Sequence, residues 1–260
     1  MTAEETPMAP ATTKSMVSQP VASKAINDFV DGSVLKRSTY IPGGVVQRFA
    51  ARLVPANSRV KVRMWLTDAI RVEQRSKARS FLTQSKGGVK VHLGSGELPR
   101  EGWVNVDLLG VPVDVAWNLN RPLPFPDGSV DVVFHEHLLE HLTMDRGLAL
   151  IEDCHRILAP GGVLRIAVPD AERHIGWYAA GTLPRERREH ATRLMSVLEE
   201  FYGHGHRTMY DFETLALLCN AAGFESVERR SFGESNVHPA PDHEWRQWDS
   251  MYVEMTKGSS

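Results

Sequence analysis

One stretch of this chain concentrates side chains able to move protons or hold a cation: His135-Glu136-His137-Leu138-Leu139-Glu140-His141-Leu142. Read as the start of a helix, it sets His137, Glu140 and His141 at i, i+3 and i+4, on one face. Two imidazoles and a carboxylate grouped in this way suit a divalent cation such as Mg2+, which would lower the pKa of a bound hydroxyl. The same residues permit metal-free chemistry, with His141 or His137 as general base, because imidazole titrates near neutral pH. Asp170, just beyond the apolar run Val163 to Val168, could orient or replace that base. A third reading is that the residues only line a pocket, and a single carboxylate is little charge for Mg2+, which prefers oxygen ligands. The residues alone leave all three open. His155 and His174 have no comparable setting and read as surface or packing residues.

These side chains need a frame, and the frame starts at Lys90. An apolar run, Val89 to Leu93, ends in Gly94-Ser95-Gly96, and a second, Trp103 to Val106, ends in Asp107. In an α/β sheet, ligands bind outside the carboxyl ends of the strands. Gly94 and Gly96 let the chain turn sharply and let a ligand lie against the backbone. An acid ending the next strand can accept hydrogen bonds from both hydroxyls of a ribose. Further on, Val113 to Trp117 reads as a third strand and Val130 to Phe134 as a β-branched central strand. The periodicity predicts an amphipathic helix over Asp145 to Leu158, stopped by Pro160-Gly161-Gly162, and then the strand Val163 to Val168. A helix from Phe212 to Ala222 precedes a final antiparallel pair, Phe224 to Arg230 and Met251 to Thr256. Cys154 and Cys219 fall within helical apolar patterns and read as small core residues.

Taken in order, V-H-L-G-S-G, G-W-V-N-V-D-L, R-P-L-P-F-P-D-G-S-V-D-V-V and L-A-P-G-G resemble the motifs of class I S-adenosylmethionine-dependent methyltransferases. The resemblance runs from about Gly88 to Lys257. It implies an α/β, Rossmann-like class I methyltransferase fold, a seven-stranded and mostly parallel sheet with helices on both faces. It also implies S-adenosyl-L-methionine as cofactor, held by Gly94, Ser95, Gly96, Asp107 and Leu108. Asn118 would meet the adenine amine and the Leu119 backbone a ring nitrogen, with His135 and Glu136 towards the cofactor end of the pocket. His92, standing where the broad family usually has an acid, would be the residue towards the methionine amino group. The His137-Glu140-His141 group is similar to the E-x-x-E-H site of metal-assisted 2′-O-methyltransferases. There a further histidine arrives from the segment before the last core helix, which here makes His206 the better candidate and His204 the second.

The subgroup with L-G-S-G and G-W-V-N-V-D resembles proteins of glycan and polysaccharide assembly. The implied reaction is O-methylation of a sugar hydroxyl on an oligosaccharide or polysaccharide precursor, a mannoside among them. Trp177, Tyr178, Trp245 and Trp248 beside Asp and His suit sugar rings, although tryptophan is usually core. A small phenol or lipid acceptor is the alternative within enzymes, and an inactive cofactor-binding partner subunit the alternative outside them. A nicotinamide dehydrogenase fits poorly, because the third glycine position of G-x-G-x-x-G is Pro99.

The 260 residues and net charge of −2 suit one large domain with an appendage and give no global attraction to nucleic acid or membrane. No apolar run approaches the roughly 20 residues of a membrane span, and no secretory signal is visible, so the expected place is the cytoplasm. Residues 1–25 read as a disordered tail, 26–86 as a helical extension, 87–257 as the methyltransferase domain, and 171–206 within it as a lid. In the extension, Val45, Val46, Phe49 and Leu53 form one apolar face, and Val62, Trp65, Leu66, Ala69 and Ile70 another. Its many arginines, among them Arg63, Arg71 and Arg75, read as a solvated face, or else as a patch for an anionic substrate portion or a homodimer contact.

Overall fold

The computed structural model describes residues 56–84, 88–182 and 190–259, together with Lys24 and Ile26, which are helical. The rest of the expected tail, the Val45–Leu53 helix and the middle of the lid lie outside the described residues. Two helices come first, α1 (Ala56–Ala69) and α2 (Arg71–Gln84). The strands are β1 (Lys90–Leu93), β2 (Val104–Asp107), β3 (Val115–Ala116), β4 (Val130–Glu136), β5 (Leu158–Pro169), β6 (Val227–Arg230) and β7 (Ser250–Thr256). Between them lie helices α3 (Met144–Ile157), α4 (Ala171–Ala180), α5 (Arg193–Leu198) and α6 (Phe212–Ala221). The strands form one sheet in the order β3-β2-β1-β4-β5-β7-β6, parallel throughout except for β7, which is antiparallel to both neighbours. This is the Rossmann-like class I arrangement that the motifs imply.

Alternation of side chains across the pleat gives the sheet two unlike faces. One carries Val91, Leu93, Val104, Val106, Val133, Leu164, Ile166, Val253 and Met255, all buried. Against it lie the inward residues of α3 (Leu150, Ile151, Cys154 and Ile157) and of α6 (Leu215, Leu218 and Cys219). The other face is polar. The strand registers align Asn105, His92, Phe134, Arg165 and Glu254 in one row across five strands. All five are at most 5% exposed.

Burying an arginine in a sheet requires charge partners and filled hydrogen bonds. Arg165 has them. Its guanidinium donates to both carboxylate oxygens of Asp242 at 3.0 and 2.7 Å and lies 3.4 Å from Glu254. It also donates to the carbonyls of Ser231 and Glu234. Asp242 in turn accepts from the Gly233 amide, and Glu254 from Ser235 and the Asn236 amide. Residues 231–243, which contain no regular element, are thereby fastened over the polar face.

Some boundaries differ from the sequence expectation. The third strand is only Val115–Ala116, and the fifth begins at Leu158, running through Pro160-Gly161-Gly162 with a register shift against β4. The larger difference is in α1. Val62, Trp65 and Leu66, read as an inward face, are 37%, 70% and 40% exposed, while Thr67 is buried. The helix meets the domain through polar side chains instead. Arg63 donates to the carbonyls of Leu108 and Leu109, Thr67 accepts from the Leu109 amide, and Gln74 of α2 accepts from the Ala116 amide. Among the described residues, no helix is long and apolar enough to cross a membrane.

Asp242→Ala is expected to cost about 2–4 kcal/mol in urea unfolding, because it leaves the Arg165 charge half-paired in the interior. Replacing both members with apolar residues (Arg165→Met with Asp242→Leu) should cost less. A single-variant loss under about 0.5 kcal/mol would show that this pair does not hold the segment.

Candidate functional site

At the carboxyl edge of the sheet the chain leaves β1 through Gly94, with φ of +67°. A Cβ there would sit 3.0 Å from Leu138, so the position is closed to side chains on two counts. The turn is pinned by the Gly94 and Ser95 amides, which both donate to the Val106 carbonyl. Asp107 ends β2 beside it. One carboxylate oxygen accepts from the Gly96 amide at 2.9 Å and the other from the Leu108 amide at 2.5 Å, with the Arg63 guanidinium 3.9 Å away. Each oxygen keeps acceptor capacity, so the carboxylate is held in place while still able to receive two hydroxyls.

Above this turn lies a cleft of about 440 Å3. It brings together Gly94, Asp107, Leu108, Asn118, Leu119 and His141, with Val60 and Met64 of α1 forming part of its wall. No motif marks Val60, Met64 or Arg63. Their part emerges only because α1 folds back over the β2–β3 edge.

The proton-handling stretch is not a helix. His135 and Glu136 end β4, His137 sits in a turn with φ of +50°, and Leu139–His141 form a single 3-10 turn before α3 starts at Met144. The helical i, i+3, i+4 face therefore does not exist, and the grouping is made otherwise. Ligand atoms of Glu140, His141 and His206 lie within 4.8 Å of one another. His206 is brought in because the Arg207 and Thr208 amides both donate to the Glu140 carbonyl, while the Thr208 hydroxyl donates to Leu142. The His206 Nδ1 lies 2.5 Å from the Glu200 carbonyl, which makes it the donor and leaves Nε2 with a lone pair. His204 stays outside this group, its ring 5.5 Å from that of His206.

Glu140 is fully buried, and neither carboxylate oxygen has a hydrogen-bond partner. Burial pushes its pKa up to about 8. Burial also lowers the imidazoles, His206 to about 3 with His141 adding to the effect, and His141 in the same direction although its side chain reaches solvent.

His137 belongs to a different chain of contacts. The Ser250 hydroxyl donates to Asp249 at 3.1 Å, so the His137 Nε2, 2.8 Å from that hydroxyl, must be the donor there. Its Nδ1 then faces Glu140 at 3.3 Å. His137 thus stands outside the donor group, its Nδ1 lone pair turned towards Glu140, and burial holds its pKa well below the usual value.

Three other expected roles meet competing contacts. Asp170 caps α4 by accepting from the Arg173 amide and is paired with Arg229 at 2.7 Å, so its carboxylate is committed away from the cleft. Glu136 is bonded to the imidazole and amide of His243, which takes the place expected for a cofactor contact. The Asn118 side chain donates to Asp68 and accepts from Asn120, leaving no free amide oxygen for an adenine amine. His135 points to the apolar face, in one row with Leu93 and Ile166, and both its nitrogens are buried without a partner. His92 lies on the polar face, stacked 5.1 Å from Phe134, with its pKa lowered to about 3 by burial and by Arg100. Ser95 is buried in the turn, its hydroxyl without a partner. Between the expected lid and the last loop, Trp177 and Trp248 stack at 6.2 Å, while Tyr178 and Trp245 are about half exposed.

The fold is of the Rossmann-like α/β class, and its open edge carries a cleft that reaches His141. Comparison with known proteins points to a family in part of the chain. Residues 109–166 match the family model described as a methyltransferase domain. A probable S-adenosylmethionine-dependent methyltransferase of Mycolicibacterium smegmatis is 40% identical over 58 residues, which is 22% of this chain and 22% of that protein. Among solved structures, an S-adenosylmethionine-dependent methyltransferase from Archaeoglobus fulgidus aligns with a TM-score of 0.42 and 16% identity, over 70% of this chain and 92% of its own. A putative O-methyltransferase from Nostoc punctiforme aligns at 0.45 and 15%, over 92% of this chain and 69% of its own.

Two outcomes test this geometry. Asp107→Ala should weaken S-adenosylhomocysteine binding by about tenfold or more in calorimetry, and near-normal affinity would remove Asp107 from the cleft's function. His135 governs part of the acid limb of stability. Its folded pKa, about 3, lies below the ordinary 6.5, so between those values only the unfolded chain takes up the proton. Stability present above pH 6.5 is therefore lost as the pH falls towards 3. His135→Leu should flatten that loss between about pH 7 and about pH 5 in urea titrations, and an unchanged slope would contradict it.

Proposed function

We propose that the chain is an S-adenosylmethionine-dependent O-methyltransferase whose acceptor is a sugar hydroxyl. One observation carries this reading: a single cleft joins the Gly94 turn and Asp107 to His141. The first two suit an adenosyl group, the third a hydroxyl that must lose its proton. The match of residues 109–166 to a methyltransferase domain supports it.

The residues present fit the cofactor. Gly94 and Gly96 offer backbone without Cβ, Asp107 offers two oriented oxygens, and the Leu119 backbone lies on the cleft wall. S-adenosylmethionine supplies the methyl group from its sulfonium, and transfer to oxygen releases one proton from the acceptor. The chain's own work is alignment and proton removal. His141 reaches the cleft with its imidazole held neutral, so it can accept that proton at a ring nitrogen. The His137–Ser250–Asp249 chain lies behind Glu140.

A divalent cation also fits. Glu140, with two unpartnered buried oxygens, His141 and His206, with its Nε2 lone pair set by Glu200, are the residues that would hold it. Such an ion would lower the pKa of an acceptor hydroxyl. Two imidazoles against one carboxylate favour a transition-type ion over Mg2+. The exposed Trp245 and the stacked Trp177 and Trp248 support a sugar over a small apolar acceptor, because they stand beside charged side chains such as Arg173 and Arg246.

Labelled methyl transfer to mannosides, other glycans and phenols tests the proposal. Activity should appear on a glycan, and His141→Ala should lower it by about a hundredfold or more while S-adenosylhomocysteine still binds. If EDTA abolishes turnover and Mn2+ restores it, the cation reading stands; if EDTA has no effect, His141 acts as a plain base. Transfer only to phenols would overturn the sugar reading, and failure to bind S-adenosylhomocysteine would overturn the whole.

A further inference from the structure

A second hollow of about 510 Å3 opens on the far side of Trp117 and Asn118 from the nucleoside cleft. Its charged lining is Arg71 and Arg75 of α2, Arg121 from the loop before β4, and one acid, Asp68. Asp68 is already engaged: Arg121 donates to it at 3.1 and 3.4 Å, and Asn118 at 3.3 Å. Arg71 and Arg75 stand one helical turn apart and so face the same way. Among the described residues, neither is paired with a carboxylate. The Arg75 guanidinium lies 5.8 Å from the centroid of Trp117, whose indole is itself fixed by a hydrogen bond to the Pro122 carbonyl at 3.1 Å. The base of the hollow is therefore rigid, and it presents two guanidiniums without counter-ions.

Other arginines of the domain are used structurally. Arg63 holds the Leu108–Leu109 backbone, Arg165 the polar face and Arg229 Asp170. Among the described residues, the guanidiniums of Arg71 and Arg75 form no hydrogen bond or ion pair, although both line this hollow. Paired guanidiniums recognise phosphate oxygens by parallel N–H donation. The space far exceeds one small ion, since a water takes only about 30 Å3 of liquid. We propose that this hollow binds the phosphate group of an organic ligand, seated beside the adenine edge of the cofactor cleft. The inference does not depend on methyl transfer.

Calorimetry with glucose 1-phosphate and with inorganic pyrophosphate tests it, on the full chain with and without saturating S-adenosylhomocysteine. Glucose 1-phosphate should bind, more tightly than pyrophosphate. Arg71→Ala with Arg75→Ala should weaken it about tenfold or more and leave S-adenosylhomocysteine affinity unchanged. Absence of binding, or equal affinity in the double variant, would overturn the site. Pyrophosphate binding as tightly as the ester would overturn its organic character. Displacement by S-adenosylhomocysteine would place the phosphate in the nucleoside cleft instead. A chain that binds the ester but not S-adenosylhomocysteine would keep this site while refuting the methyltransferase reading.

Discussion

The buried guanidinium of Arg165 is the constraint around which the polar half of this molecule is arranged. It stands in the middle of a seven-stranded sheet and is fully buried, a position usually reserved for valine or isoleucine. Its charge is tolerable only because Asp242, Glu254 and two carbonyls surround it. Satisfying it draws residues 231–243 onto the sheet, and the next residues follow from that. His243 reaches Glu136 at the end of β4. Trp248 and Gln247 offer their carbonyls to Arg173 of α4, and Asp249 and Ser250 arrive under His137. A charge in the core thus determines where the back wall of the site stands.

The front wall depends on a different device. Asp107 gathers the Gly96 and Leu108 amides around one carboxylate, and α1 is tied to the same loop through Arg63 and Thr67. Val60 and Met64 of α1 thereby line the cleft. The outward Trp65 and Val72 of the N-terminal helices and their inward polar residues invert the usual amphipathic order. The first of them, α1, docks by hydrogen bonds onto loop backbone, while α2 packs Ala78, Phe81 and Leu82 against the core.

That inversion explains where sequence reasoning succeeded and where it failed. The strands β1, β2 and β4 and the helix α3 were legible because each alternates or repeats against one continuous core. Gly94 and Asp107 were legible because turn and acid lie close in sequence. The face of α1 was misread because apolar spacing was taken to mean burial. The His137-Glu140-His141 face was misread for a local reason: a positive φ at His137 breaks the helix before it begins, and no residue type signals that at a histidine. Ser250, Asp249 and His243 were invisible, since their partners lie more than 100 residues away. Asp170 looked available in sequence, and only Arg229, from β6, shows it to be taken.

In the function we propose, one cleft unites an adenosyl site with a proton-accepting histidine. The most direct measurement is a crystal structure of the chain with S-adenosylhomocysteine. The account predicts the ribose hydroxyls on Asp107, the adenine against Leu119 with Val60 and Met64 on the opposite wall, and the sulfur turned towards His141. A ligand seated elsewhere, or with its sulfur directed away from the Glu140-His141-His206 group, would contradict it.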